Sequence, residues 1–327
     1  MFDLQGAVSP VPALSTSWCS HRHRDGYEML SEMAGLGFSR VELSHGIRIT
    51  LVPGILKAVD EGIVKVGSTH NFCPLPMGVL QAAPNVFQPS SPDDRERDQW
   101  LRQTRRSIDF AAQVGASVLV CHLGSVRYLW LAPDRRMTKY RAAHPEAVES
   151  GDKAYRALVE DALRKLRRRM GPYWQRTQDC IRGVLDYAAG KGVRLALENR
   201  EAFEELPVDA DFPGLLAGMP PPAFAGYWHD TGHANLKERM GLISHRGQLE
   251  ANAARLLGFH LHDVDSEGHD HQAIGTGAVD FAMVSQFWRP EHLFVIELSP
   301  RATVEGVLAS KSRVEALLAK VGSRPAG

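Results

Sequence analysis

The sequence predicts a closed (β/α)8 barrel in a single domain over residues 1–327, with an insertion after the fourth strand. Three observations carry this. Eight short apolar runs alternate with longer stretches of helical periodicity, the pattern of repeated βα units. The helical stretches stop at glycine just before the next apolar run, as in "DGYEMLSEMAGLG" at 25–37 and "DQWLRQTRRSIDFAAQVGA" at 98–116. No Gly-rich dinucleotide fingerprint follows the first run, which argues against an open doubly wound sheet.

In chain order, strands are expected over Ala13–Trp18, Arg40–Ser44, Val64–His70, Ser117–His122, Val193–Glu198, Phe224–Asp230, Gly258–Asp263 and Leu293–Leu298. The helix between the third and fourth places Trp100, Leu101, Thr104, Ile108, Ala111 and Ala112 near one face. After His122 the repeat is interrupted. The stretch "GSVRYLWLAPDRRMTKYRAAHPEAVES" reads as an irregular loop, and Lys153–Met170 as a helix that Gly171-Pro172 separates from the next barrel helix near Tyr173. An insertion at this point leaves from the C-terminal rim of the barrel, where active sites are built. Residues 124–171 are therefore expected to form a lid over the mouth, with Tyr128, Trp130, Arg135, Arg136 and Tyr140 able to meet a ligand. The competing use is an oligomer contact through the stripe Leu158, Leu163 and Leu166.

Composition excludes several classes of function. Hydrophobic residues make up 44% and charged residues 23%, as in ordinary globular chains. Lys plus Arg equals Asp plus Glu at 38 each, so no global field attracts nucleic acid or an anionic membrane. The segment Lys153–Arg182, with nine Lys or Arg against three Asp or Glu, speaks for an anionic partner, while "RKLRRR" at 164–169 within it also reads as a solvated helix face. Cys19, Cys73, Cys121 and Cys180 are scattered without zinc-type pairing, which suits a reducing compartment. No basic-then-apolar leader and no run near the roughly 20 apolar residues of a membrane helix are seen, so a cytoplasmic location is expected.

The chemistry lies at the strand ends. Six of the eight expected strands finish in a histidine or carboxylate: His70, His122, Glu198, Asp230, the pair His260 and His262, and Glu297. In a barrel those ends converge on one mouth. Unpaired carboxylates gathered there would repel one another, and a divalent cation resolves the conflict. Mixed oxygen and imidazole ligands suit manganese, zinc, cobalt, iron or magnesium. Taken alone, Asp230 and Thr231 could simply cap a helix starting near Gly232, and Glu198 could pair with Arg200.

The motifs "ALEN", "WHDTGHA", "FHLHDVD", "HQAIGTGAVDF" and "VIELSP", in this order and spacing, resemble the xylose isomerase-like TIM-barrel superfamily. That superfamily holds sugar and sugar-phosphate isomerases and epimerases, inosose-processing enzymes and the endonuclease IV type of repair enzyme. The resemblance covers the chain apart from the insertion. It implies one divalent metal on Glu198, Asp230, His260 and Glu297, and places His233 against substrate or an additional metal. His70, His122, His233 and His271 match positions that imply a second metal. In the endonuclease IV pattern, an Asp stands where this chain has His269 in "HDH" (269–271).

Two functions follow. The first is isomerisation or epimerisation of a sugar, sugar phosphate or polyol-derived ketone through an enediolate, with Glu198 and Glu297 as both ligands and proton shuttles. His233, Arg200 and His262 are then expected to contact substrate, as is Glu42 in "VELSH" unless it forms a structural salt bridge. The second is multinuclear phosphodiester hydrolysis, for which the extra histidines speak and the neutral charge does not.

Overall fold

The computed structural model describes residues 10–128, 132–219 and 224–321. The strands are β1 (Ala13–Ser15), β2 (Arg40–Leu43), β3 (Lys65–His70), β4 (Val118–Cys121), β5 (Arg194–Glu198), β6 (Ala225–Asp230), β7 (Leu256–Leu261) and β8 (Leu293–Ile296). Each pairs in parallel with the next, and β8 pairs with β1, so the sheet closes. The register sets Ser15 beside Glu42 and Asp230 beside His260, bringing polar strand ends to one rim. Among the described residues the helices are α1 (Gly26–Gly35), α2 (Val52–Asp60), α3 (Asp94–Gln113), α4 (Arg135–Ala143), α5 (Lys153–Gly190), α6 (Phe212–Ala217), α7 (Thr231–Arg239), α8 (His245–Asn252), α9 (Phe281–Val284) and α10 (Val304–Val321). None of them is long and apolar enough to cross a membrane.

The barrel interior is filled by side chains. Ala13, Val118, Val120, Ala196, Trp228, Leu257 and Val295 form one buried cluster inside it. Trp228 is the large member, and its ring lies 5.1 Å from that of His260, flooring the mouth. Gly258 makes room for the indole: a Cβ there would sit 2.4 Å from Trp228 Cζ3 and 2.6 Å from the Leu293 carbonyl oxygen. A backbone oxygen cannot step aside like a flexible side chain. Gly258→Ala is therefore expected to lower stability by about 3 kcal/mol or more, the upper range for overpacking, read as a fall in the denaturant midpoint.

The insertion departs from expectation in three ways. Its first part is not irregular throughout: α4 and a 3-10 turn at Pro145–Ala147 occupy much of it. Helix α4 buries only Met137, so its sequence carries little amphipathic signal. Second, Gly171-Pro172 does not separate two helices. Helix α5 runs unbroken for 38 residues with Pro172 inside it. An interior proline costs about 3 kcal/mol, and burial on both sides offsets it: Tyr155, Val159, Ala162, Leu166 and Met170 before the proline, and Cys180, Ile181, Val184, Leu185 and Ala188 after it. Third, the leucine stripe has partners within the chain. Leu166 is buried with Phe203 and Leu206, and Leu158 and Leu163 pack against that cluster. The insertion is fixed to the barrel by Tyr155 Oη donating to the Met240 carbonyl (2.9 Å) and Arg141 Nη1 donating to the Arg239 carbonyl (3.0 Å). Trp130 lies outside the described residues.

Candidate metal centre and active site

Glu198 ends β5, Asp230 ends β6, His260 lies in β7 and Glu297 follows β8. The four meet at the mouth, all buried, with potential ligand atoms within 4.8 Å of one another. His260 Nδ1 is the hub, 2.9 Å from Glu198 Oε1, 3.0 Å from Glu297 Oε2 and 3.8 Å from Asp230 Oδ2. Burial pushes the imidazole pKa down, but Glu297, Glu42 and Glu198 together hold it well above the usual value. The carboxyls are held the other way. Burial raises Glu297, but His260 and His271 outweigh it and keep the carboxyl well below the usual range. Glu198 is likewise kept low by His122 and His260 against burial. Three ionised carboxylates and one imidazole in a buried pocket form the donor set of a divalent cation, so the residues fit one.

Asp230 serves two ends at once. Its Oδ1 accepts the His233 backbone N–H (2.8 Å) and so caps α7, while Oδ2 turns to the centre. His262 holds that orientation. Its Nδ1 accepts the His271 backbone N–H (2.9 Å), so in the neutral ring Nε2 carries the proton and donates to Asp230 Oδ2 (2.9 Å). His262 is fully buried and supports the candidate ligand Asp230. Glu42 takes the structural pairing that was its alternative. It is fully buried, accepts from Ser15 Oγ (3.2 Å) and Ser68 Oγ (2.7 Å), and faces His260 Nε2 at 3.1 Å. This is the carboxylate–imidazole support that fixes which nitrogen faces a metal.

The four remaining histidines do not form one set. His70 Nε2 and His122 Nε2 approach Glu198 Oε2 at 3.4 and 2.8 Å on one side of the centre. Their other nitrogens meet the Asn71 carbonyl and Asn85 Oδ1, each at 2.9 Å. Burial, aided by Arg200, pushes His122 down to about 3, so it stays neutral and able to ligate. His233 and His271 lie on the opposite side. His233 Nδ1 meets the Asn199 carbonyl at 3.0 Å, leaving Nε2 toward Asp270 Oδ2 at 3.8 Å. His271 Nδ1 meets the same Asp270 oxygen at 3.0 Å. Asp270 thus supplies a carboxylate between these two rings, while the exposed His269 pairs with Asp265. Arg200 is buried, donating from Nε to Glu205 (3.1 Å) and from Nη1 to Glu198 at a longer 3.4 Å. It braces Glu198 rather than facing open space.

A cavity of about 600 Å³ opens beside the centre. Glu297 and His271 are the sequence-predicted residues that line it, with Asp270, His45 and the loops after β1, β2, β3 and β8. No described residue of 124–171 lines it, and Leu80, Gln81 and Ala82 of the β3–α3 loop border the opening.

Residues 30–289 match the sequence model of the xylose isomerase-like TIM barrel. The chain belongs to that family. Among solved xylose isomerase-like folds, the chain is similar to a D-allulose 3-epimerase from Methylomonas sp. (15% identity, TM-score 0.64, covering 94% of this chain and 98% of that one). It is also similar to a 3-keto-D-glucoside 4-epimerase from E. coli (15%, 0.63, 94% and 98%). A third is a D-psicose 3-epimerase from Clostridium cellulolyticum H10 (13%, 0.60, 95% and 98%). These likenesses carry the fold. A search of curated proteins returns no match.

Sequence reasoning missed His45, Asn85, Asn199, Glu205 and Asp270 in this xylose isomerase-like barrel. His45 was open to the rule that found the others, since it follows a strand end three residues after Glu42. Its ring lies 4.7 Å from that of His70, and its buried Nδ1 has no hydrogen-bond partner among the described residues. Asp270 was not open to that rule. It lies beyond β7, in a loop turned by His271 in the left-handed region (φ 55°), which only the fold reveals.

Proposed function

We propose that this protein is a divalent-metal-dependent isomerase or epimerase acting on a ketose or a related polyol-derived ketone. The observation that carries the reading is the convergence of Glu198 and Glu297, from β5 and β8, on His260 Nδ1 at 2.9 and 3.0 Å inside a buried four-ligand set. The fold neighbours named as sugar 3- and 4-epimerases support it.

A cation held by Glu198, Asp230, His260 and Glu297 would stabilise charge on adjacent substrate oxygens. The proton work falls to this chain's own carboxylates. Glu297 borders the cavity and is held ionised, so it is placed to take the proton from the carbon beside the ketone. Glu297 then loses that proton to solvent, and Glu198, which reaches the centre from β5 and takes up a proton from solvent, returns one to the substrate carbon from its own side. His262 and Glu42 keep Asp230 and His260 in place while this happens. The barrel floor under Trp228 keeps bulk water out below the reacting atoms.

Chelator-treated protein is expected to lose turnover of a ketose panel and to regain it with Mn²⁺, Co²⁺ or Zn²⁺. Equal turnover by metal-free protein contradicts the proposal. The placement of His70 and His122 on Glu198 Oε2 favours a second reading, a dinuclear phosphodiesterase. Two ions per chain together with cleavage of a bis(aryl) phosphate, and no ketose turnover, would select it.

A further inference from the structure

The cavity beside the metal centre is acidic on one wall only. On the β7–β8 side stand Glu297, Asp270 and His271. On the β1–β2 side stand His21 and Arg48. Arg48 has no carboxylate partner: Nη2 donates to the carbonyl oxygens of Ser20 (3.3 Å) and His23, and no ion pair reaches the group among the described residues. Its basic neighbours differ, because Arg22 and His23 both pair with Glu32. Asp270, the other carboxylate on the cavity wall, is engaged by His271. An arginine anchored through one nitrogen by backbone carbonyls is pre-oriented and not neutralised, with its remaining N–H groups available to a planar or tetrahedral anion. The surrounding charge agrees. Burial lowers the His21 pKa, and Arg22, His23 and Arg48 lower it further, which marks this wall as short of negative charge.

Resting on the isomerase reading, we infer that the substrate is a ketose carrying an anionic terminal group, held by Arg48 in the cavity that Glu297 also lines. Phosphate monoester and carboxylate share the required chemistry. A neutral ketohexose would leave the guanidinium facing water or an adventitious anion. The volume of about 600 Å³ lies within the range of sites that enclose whole small molecules, so both ends of one substrate fit within it. Arg48 acts here as a specificity-determining residue, remote from the proton transfer itself.

The test compares kcat/KM of the metal-loaded protein for matched ketoses with a terminal hydroxyl, a terminal phosphate or a terminal carboxylate. An anionic form is expected to be preferred by about tenfold or more, chiefly through KM, as for a charge-assisted hydrogen bond that contributes to substrate binding. The phosphate and carboxylate arms tell the two sources apart. In Arg48→Gln the anionic-to-neutral ratio should fall about tenfold, and Arg48→Lys, which keeps the charge but not the fork, should fall between. Inorganic phosphate should compete with the preferred substrate in the unaltered protein and far less in Arg48→Gln. Equal kcat/KM for all three substrates, or a ratio unmoved by Arg48→Gln, overturns the inference while leaving the isomerase reading intact. If no ketose turns over, that reading fails instead, and calorimetric titration with inorganic phosphate decides the anion site. Binding lost in Arg48→Gln then keeps it, and absent or unchanged binding removes it. Should Arg48→Gln not fold, Arg48→Lys and the phosphate competition decide the question in its place.

Discussion

Glu297→Gln is expected to fold as the parent does and to lose proton exchange at the carbon beside the substrate ketone by about a thousandfold, within the range attributed to a positioned general base. The amide keeps the shape of the carboxylate and an oxygen that can face the centre. It cannot accept the substrate proton. Part of the loss could instead reflect weaker metal binding, because the same side chain sits 3.0 Å from His260 Nδ1 among the candidate ligands. Metal content must therefore be measured on the sample assayed. Exchange that stays near the parent rate with a full complement of metal would place the base elsewhere, with Glu198 the next candidate.

Gly232→Ala is expected to weaken metal binding about 10- to 100-fold, the loss typical of removing a group that orients a metal ligand. No atom of Gly232 approaches the centre as a ligand. A Cβ there, however, would lie 2.1 Å from His262 Cε1 and 2.6 Å from His262 Nδ1. The ring cannot slide away freely, because it stacks on His271 at 4.2 Å and is wholly buried. It must leave Asp230 Oδ2, and the freed carboxylate loses its aim. A double-mutant cycle checks the cause. In a His262→Ala background the clash partner is gone, so adding Ala at 232 should change metal affinity little further. Additive losses would mean that Gly232 acts through the start of α7 instead.

Much of the centre was legible because a barrel converts a local regularity into a global one. Residues such as Glu198 and Asp230 announce themselves as polar ends of apolar strands, and closure brings those ends together without further instruction. What strand ends cannot reveal is the direction of support. His262 and Glu42 have ligand-type side chains at the same rim, and only the fold shows that each hydrogen-bonds a candidate ligand, held in place by Thr231, Ser15, Ser68 and the His271 backbone. The insertion differs from expectation for a related reason. It departs from the expected rim, and Leu158, Leu163 and Leu166 find partners in Phe203 and Leu206, residues far from them in sequence. Pro172 misleads because a propensity of about 3 kcal/mol is smaller than the burial of the residues on either side of it.

Whether Glu198 and Glu297 move a substrate proton is tested most directly by solvent isotope. The metal-loaded protein is incubated with its best ketose in D₂O, and product and recovered substrate are followed by NMR. Deuterium is expected at the carbon beside the ketone in the product, and in recovered substrate as the reaction reverses, since a carboxylate exchanges its proton with solvent between steps. Product formed without solvent deuterium would mean that the abstracted hydrogen is returned without exchange, and would contradict the assignment of Glu198 and Glu297 as two separate proton shuttles.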